Sequence, residues 1–210
     1  MKKSCLSVII VLLLSSFLFP QGMSSIQFSG GLVEPMSSNP GLSGVIQYNY
    51  NLTSRFNLFV STDYSYWGQK YNNYYYDALS YNQHKIVYPE SDHSLSRAMA
   101  GARYVVVEPA KFRLFVEGGI GYSYLKYKSY NINLVTNPDG TAELLYSNGA
   151  YESENLFNIS TGIGFIHKMT SRWDILFEFK LNTYLNSHYY GIFSARGTFT
   201  EYFAGFNYRI

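Results

Sequence analysis

Strict alternation of apolar and polar residues marks the segment 173–183, WDILFEFKLNT. Successive side chains of a β-strand point to opposite faces, so all of its large apolar residues share one face: Trp173, Ile175, Phe177, Phe179 and Leu181. The opposite face carries polar and charged residues: Asp174, Glu178, Lys180 and Asn182. The segment therefore predicts a strand with one apolar and one charged face.

The same alternation recurs in segments 112–124 and 199–210, again with charges opposite the large apolar residues. Repeated strands of about ten residues with this pattern indicate a transmembrane β-barrel, apolar outside and polar inside. The composition agrees, since 19% of the residues are aromatic and only 14% are charged. No run of about eighteen apolar residues follows the N-terminus, which disfavours a helical membrane protein.

The N-terminal residues 1–23 have the features of a secretory signal peptide. Lys2 and Lys3 precede an apolar run at 5–19, and small and polar residues follow. We expect cleavage within 21–25, which leaves a single barrel domain at 24–210. The only cysteine, Cys5, lies inside the signal without a lipobox, so we expect neither a lipoprotein nor a disulfide. Removal of both lysines leaves 14 basic and 14 acidic residues, which gives no support for a nucleic-acid-binding surface.

Eight alternating segments predict an all-β fold, an eight-stranded antiparallel up-and-down transmembrane β-barrel: 25–33, 41–50, 56–67, 95–107, 112–127, 154–167, 173–183 and 199–210. Three connections are short and polar: 51–55, 108–111 and 168–172. Long connections lie at 68–93 and 128–153, and the NPDG sequence at 137–140 predicts a hairpin tip in the second. Short periplasmic turns and long external loops are typical of such barrels. We expect no internal sequence repeat.

The signal, the eight strands, the loop asymmetry and the final strand YFAGFNYRI resemble the small outer-membrane β-barrel family that includes outer-membrane protein X and the transmembrane domain of outer-membrane protein A. The resemblance covers the whole mature chain and implies localisation in the bacterial outer membrane. It also implies that the barrel-assembly machinery recognises the last strand, through the alternating residues Tyr202, Phe206, Tyr208 and Ile210. The family usually ends on an aromatic residue, whose place Ile210 takes here.

Charged residues on the inward-facing side of the predicted strands form a candidate lumen network. They number five of each sign: Asp63, Glu117, Asp174, Glu178, Glu201, Arg97, Arg103, Arg113, Lys180 and Arg209. The interior of an eight-stranded barrel is just wide enough for side chains to fill it, so balanced charges predict a closed plug. A narrow pore or carrier is the alternative, for which an uneven charge lining would be the better sign. A hairpin centred on Ala110 predicts that Arg103 lies opposite Glu117.

Tyrosines concentrate in the first long loop, at Tyr71, Tyr74, Tyr75, Tyr76, Tyr81 and Tyr88. Tyrosine combines a large contact area with a hydroxyl group at low entropy cost, so this loop predicts surface interaction, for example with a host or matrix ligand. Alternatively, the third and fourth strands extend beyond the membrane as a hairpin, and the tyrosines pack on each other or on lipopolysaccharide. The other expected partners are outer-membrane lipid and lipopolysaccharide, and we expect a monomer.

A loop-borne lipid-modifying enzyme is a second alternative, because outer-membrane acyltransferases of similar size use His, Asp and Ser in such loops. His84, Asp92 and His93 are the residues that this alternative would use. No short motif fixes their geometry, so we assign no catalytic residue and predict that the protein is not an enzyme. His167 and His188 lack metal-ligand spacing, and we expect no metal and no cofactor.

Overall fold

The computed structural model describes residues 24–36, 39–69, 72–77, 82–87, 91–129, 132–136, 142–146, 149–186 and 198–210. Residues 1–23, which carry the predicted signal peptide, lie outside this part of the chain. Where the chain is described, it contains no helix of the length and apolar character that crossing a membrane requires.

The described residues form twelve β-strands: β1 (Ser24–Pro35), β2 (Gly41–Asn51), β3 (Phe56–Gln69), β4 (Asn72–Asp77), β5 (Asn82–Val87), β6 (Ser91–Val107), β7 (Phe112–Ser129), β8 (Ile132–Thr136), β9 (Ala142–Tyr146), β10 (Ala150–Lys168), β11 (Trp173–Tyr184) and β12 (Thr198–Arg209). Eight of them close into one antiparallel barrel in the order β1-β12-β11-β10-β7-β6-β3-β2. The pairing of β1 with β12 closes the sheet. The predicted fold class is confirmed.

The four short strands form two separate hairpins, β4-β5 and β8-β9, inside the two connections that the sequence predicts to be long. The predicted hairpin tip at 137–140 falls between the paired strands β8 and β9. The barrel strands also extend further than predicted at this end, since β6 begins at Ser91 and β10 at Ala150. Backbone pairing continues there after the side-chain alternation has faded, which is why the sequence pattern ends too early.

The barrel wall has an apolar outer face and a largely polar inner face. On β7, for example, Ile120 on the outer face is 69% exposed, whereas Phe115 on the inner face is fully buried. Exposed large apolar side chains occur on all eight barrel strands, among them Phe28, Ile46, Val60, Tyr104, Ile120, Phe157, Phe177 and Phe206. This distribution requires an apolar solvent around the barrel, so the wall faces lipid.

Two of the three short turns share a sequence and a hydrogen-bond pattern. Residues 52–56 read LTSRF and residues 169–173 read MTSRW. In each turn the threonine hydroxyl, of Thr53 or Thr170, accepts a hydrogen bond at 2.9 Å from the amide of the final aromatic residue. The carbonyl of that aromatic residue accepts hydrogen bonds from the amides of the first two residues in both turns. The two turns thus share the tripeptide TSR and the same hydrogen-bond pattern.

Candidate functional site

A four-residue ionic cluster occupies the middle of the barrel lumen. The guanidinium of Arg103 donates to Glu117 at 2.7 Å and lies 3.4 Å from Glu178. The ammonium of Lys180 lies 2.8 Å from Glu117 and 3.5 Å from Glu178. All four side chains are at most 6% exposed, and Gln27 donates a further hydrogen bond to Glu178 at 3.2 Å.

Strand register explains why these residues meet. Arg103 lies opposite Glu117 across β6 and β7, as the position of the hairpin predicts. Gly162 on β10 pairs with Glu117 on β7 on one side and with Lys180 on β11 on the other. A Cβ atom on Gly162 would lie 3.1 Å from the Cγ atom of Glu117 and 3.4 Å from that of Lys180. The glycine therefore leaves room for an ion pair that crosses an intervening strand.

A second cluster surrounds Arg97 and uses its whole guanidinium group. Its Nε donates to both carboxylate oxygens of Asp63 at 2.9 and 2.8 Å, and its Nη2 donates to Glu201 at 2.6 Å. The Nη1 donates to the side-chain oxygen of Asn182 at 2.7 Å. Ser43 and other neutral groups complete the shell of Glu201. One arginine thus ties its own strand to three others across the lumen.

The sequence predicts one lumen network with five charges of each sign. The structure differs from this prediction at the periplasmic rim. Arg113 lies on the inner face of β7 but near the strand end, where its guanidinium reaches Glu108 in the turn at 2.6 Å. Lys168 shares that carboxylate at 3.1 Å. Asp174 and Arg209 form a separate ion pair. Arg113 is therefore outside the buried network, where four carboxylates meet three cations.

Neutral polar side chains, which the charge-based prediction omits, supply the remaining hydrogen bonds. The buried ones that take part in side-chain hydrogen bonds within the lumen include Gln27, Ser43, Gln47, Asn49, Ser65, Ser123, Asn158 and Asn182. Their positions follow from the same alternation as the charges. Strand parity, the alternation of side chains between the two faces of a strand, could therefore have found them. Buried polar groups need such partners, because an unsatisfied one is costly away from water.

An apolar layer, which we call the external ring, crosses the lumen on the side of the long connections. Seven of the eight barrel strands each contribute one buried residue to it: Val33, Trp67, Leu95, Leu125, Leu156, Tyr184 and Phe199. The remaining strand, β2, has Gly41 there, where a Cβ atom would lie 2.5 Å from the Cβ atom of Trp67. The sequence prediction missed the ring, because it took every inward-facing position to be polar.

A smaller apolar cluster lies towards the periplasmic end, between four consecutive strands of the barrel. It consists of Val105, Phe115, Ile166 and Leu176, all at most 5% exposed. The guanidinium carbon of Arg103 lies 4.0 Å from the centroid of the Phe115 ring, so this cluster also covers one side of the ionic network. Apolar side chains thus border the charges on the external side in seven strands and on the periplasmic side in four.

Of the three residues that the enzyme alternative would use, two have described side chains, and these two do not form a pair. Asp92 is exposed and accepts a hydrogen bond from the Tyr66 hydroxyl at 2.8 Å. His93, the next residue, is 6% exposed and stacks between Trp67 and Tyr127, with ring centroids 5.5 and 5.7 Å away. Adjacent residues of β6 face opposite sides of the wall, so Asp92 and His93 cannot act as a pair. His84 lies on β5, whose side chains are outside the described part.

The loop tyrosines are described only in part. Tyr74, Tyr75 and Tyr76 lie on β4, paired with β5, but only their backbone is described. Tyr71, Tyr81 and Tyr88 lie outside the described residues. The hairpin arrangement that the sequence left open is therefore present in the backbone, while the packing of the tyrosine side chains stays a prediction.

The residues of the predicted assembly signal share the outer face of β12 and the position after it. Tyr202 is 46% exposed and Phe206 is 54% exposed, whereas Tyr208 and Ile210 are partly buried. The Trp173 and Tyr208 rings pack with centroids 4.8 Å apart. Within the described ranges, no group of three or more His, Cys, Asp or Glu side chains could hold a metal ion.

A closed sheet with an apolar exterior and enclosed charges is the inverse of a soluble barrel, and it defines a transmembrane β-barrel of the outer-membrane type. The solved structures that share this fold include two with a TM-score above 0.5. One is Neisserial surface protein A, with a TM-score of 0.56 and 13% identity over 91% of this chain and 100% of that chain. The other is a major outer membrane protein from Thermus thermophilus, with a TM-score of 0.53 and 10% identity over 89% of this chain and 99% of that chain.

At these identities the likeness is one of fold. No protein-family model matches the sequence, and no curated protein matches it. The fold is that of the small outer-membrane barrels that the sequence resembles, and the protein is an outer-membrane β-barrel.

Proposed function

We propose that this protein is a closed membrane anchor that presents its external segments, chiefly the β4-β5 hairpin, for interaction at the cell surface. The observation that carries this proposal is the filled lumen, where the external ring and two ionic clusters leave side chains in place of a water column. An interior of this kind favours a scaffold over a pore, because ions need a hydrated path. The wall then serves to hold the external segments.

The β4-β5 hairpin is the external segment best placed for binding. Strands β3 and β6 stay paired up to Gln69 and Ser91, and β4 pairs with β5 beyond them. Segment 71–88 carries all six candidate tyrosines, Tyr71, Tyr74, Tyr75, Tyr76, Tyr81 and Tyr88, among asparagine and glutamine residues. Paired strands hold a tyrosine-rich surface at low entropy cost, which suits recognition of a host or matrix ligand.

The experiment replaces residues 72–88 with a short Gly/Ser linker and measures binding of purified proteoliposomes to cells and to matrix-coated surfaces. Proteoliposomes without lipopolysaccharide separate direct binding from contacts of the tyrosines with that lipid. We expect the parent to bind and the shortened protein to lose binding while its unheated form still migrates as a compact barrel. Replacement of residues 131–148, which removes the β8-β9 hairpin, is the matched control and should retain binding.

Two results would contradict the proposal. One is a shortened protein that binds as well as the parent. The other is a parent that binds nothing but gives ion conductance in a planar bilayer, which would favour the pore or carrier. The lipid-modifying enzyme has its own test, since an acyl-transfer assay with labelled phospholipid should give no product.

A further inference from the structure

All three short turns end in the same pair of residue types, a cation followed by an aromatic residue. The pairs are Arg55 and Phe56, Lys111 and Phe112, and Arg172 and Trp173. Each aromatic residue is the first residue of a barrel strand and lies on the lipid-facing side, where it is 38%, 37% and 46% exposed, respectively. The cations are exposed as well. Three cations therefore surround the periplasmic end of the wall, each beside an interfacial aromatic side chain.

The geometry of the turn explains its threonine but not its cation. In the turns at 52–56 and 169–173, the threonine hydroxyl and the backbone satisfy the tight bend. Arg55 contributes its carbonyl, which accepts a hydrogen bond from the Val105 amide at 2.8 Å, and any residue offers a carbonyl. Arg172 donates only a long side-chain hydrogen bond, at 3.4 Å, to the Tyr208 hydroxyl. Within the described residues, the hydrogen bonds that close these two turns do not involve the positive charge.

The nearby carboxylates are occupied by other cations. Glu108 pairs with Arg113 and Lys168, and Asp174 pairs with Arg209. Within the described residues of this end, no ion pair involves Arg55, Lys111 or Arg172. These three cations consequently give the rim an excess of positive charge that faces outward at the level of the aromatic side chains.

We propose that the three cation–aromatic pairs, Arg55 with Phe56, Lys111 with Phe112 and Arg172 with Trp173, bind anionic phospholipid head groups of the periplasmic leaflet. Aromatic residues at strand ends mark the boundary between hydrocarbon and head groups, so a cation one residue away lies at the level of the phosphates. A basic residue near a membrane surface attracts anionic lipid with an energy that corresponds to about a fivefold gain in association. The aromatic ring packs on the lipid beneath the head group.

Fluorescence of Trp173 offers a local readout, because the chain has two tryptophans and the other, Trp67, is buried in the lumen. The refolded barrel is placed in phosphatidylcholine vesicles that contain an equal fraction of either brominated phosphatidylglycerol or brominated phosphatidylcholine. We expect stronger quenching by the brominated phosphatidylglycerol. Arg172→Gln should reduce the relative association constant of the anionic lipid about fivefold. Added salt should weaken the preference in the parent.

Arg55→Gln is the matched control, since it makes the same change in the same motif of a different turn. Quenching of Trp173 should not change in this variant if each pair binds its own lipid. Moving the reporter, with Trp173→Phe and Phe56→Trp together, should make quenching sensitive to Arg55→Gln instead. Compact migration of each unheated variant on a gel checks that the barrel has folded.

Equal quenching of the parent by the two brominated lipids would overturn the proposal, as would an unchanged preference in Arg172→Gln. An equal loss of the lipid preference in Arg55→Gln and Arg172→Gln, read at Trp173, would show that a diffuse surface charge attracts the lipid and that the local sites do not exist. If Arg172→Gln instead abolishes sedimentation with isolated peptidoglycan and leaves lipid quenching intact, the partner is the cell wall and the proposal is wrong.

Discussion

Glu117 shows at the scale of one residue how the lumen is held together. Its carboxylate receives two cations, Arg103 and Lys180, from strands on either side. Both cations also lie near the carboxylate of Glu178, at the longer distances of 3.4 and 3.5 Å. The cluster is stable only while each of its charges keeps its partners, because a buried charge that loses its partner costs far more than the pair contributes.

We therefore expect Glu117→Gln to lower the free energy of unfolding by about 3 kcal/mol. The measurement is urea unfolding of the refolded barrel in detergent or lipid vesicles. Glu108→Gln is the control, because its partners Arg113 and Lys168 are about one quarter exposed and such pairs contribute less than about 1 kcal/mol. Equal effects of the two substitutions would contradict a dry lumen.

Glu108 also gives the barrel a small dependence on pH. Partial burial acts to raise the pKa of its carboxyl, but hydrogen bonds and charges from Lys168 and Arg113 outweigh burial and lower it. A lowered folded-state pKa stabilises the fold above the unfolded value and loses that effect as pH falls through the folded value. The stability difference between the parent and Glu108→Gln should thus be present at about pH 7 and vanish well below about pH 4, in unfolding curves at both values.

Strand parity alone indicates the inward position of Asp63, Arg97, Arg103, Glu117 and Glu201, because one face must be apolar in lipid. It does not indicate how far along the barrel axis a side chain reaches, so it places Arg113 in the network, whereas Arg113 binds Glu108. Pairings between distant strands, such as Arg97 with Glu201, depend on stagger around the barrel. That stagger is a property of the closed sheet and is absent from any local pattern.

At the scale of elements, the external ring is assembled from single residues near the ends of seven strands. No single segment of the sequence predicts the external ring, since an inward apolar residue at a strand end interrupts the alternation only once. Trp67 is the largest member and fills the space above Gly41. Removal of this side chain should therefore open a path from the external side towards the buried polar groups.

Residues 24–210 contain no cysteine, so a single introduced thiol can report such a path. Ser65 lies two residues from Trp67 on the inner face of β3 and is fully buried. We expect Ser65→Cys to resist a membrane-impermeant maleimide in an otherwise unchanged barrel and to react rapidly when Trp67→Ala is added. Rapid labelling of the single variant would show that the ring does not seal the lumen.

At the scale of the whole molecule, the pairing of β1 with β12 over residues 25–35 and 199–209 leaves no open edge. The last strand has two separate tasks, since its inner face carries Glu201 of the lumen network and its outer face carries Tyr202 and Phe206. Folding needs the first face, whereas we expect recognition of the strand during assembly in the cell to need the second.

Tyr202→Ser with Phe206→Ser should consequently slow assembly in cells more than it impairs refolding of the purified chain. Pulse-chase labelling followed by unheated gel electrophoresis measures the first, and refolding into short-chain lipid vesicles measures the second. Leu32→Ser with Leu42→Ser is the control, because these residues are equally lipid-facing on β1 and β2, with 52% and 69% exposure. Equal assembly defects in the two variants would contradict a specific signal on the last strand.

If the external ring closes the lumen as proposed, the permeability of the membrane does not depend on how many copies of this protein it holds. Every open channel adds to the flux of small toxic solutes into the periplasm, so a cell must limit how many it makes. The proposed closed barrel, whose mouth is blocked by Trp67, Phe199 and their neighbours, should add nothing to that flux. On the proposed surface role, such a protein can cover the surface densely, which favours weak contacts that act together, each through its own β4-β5 hairpin.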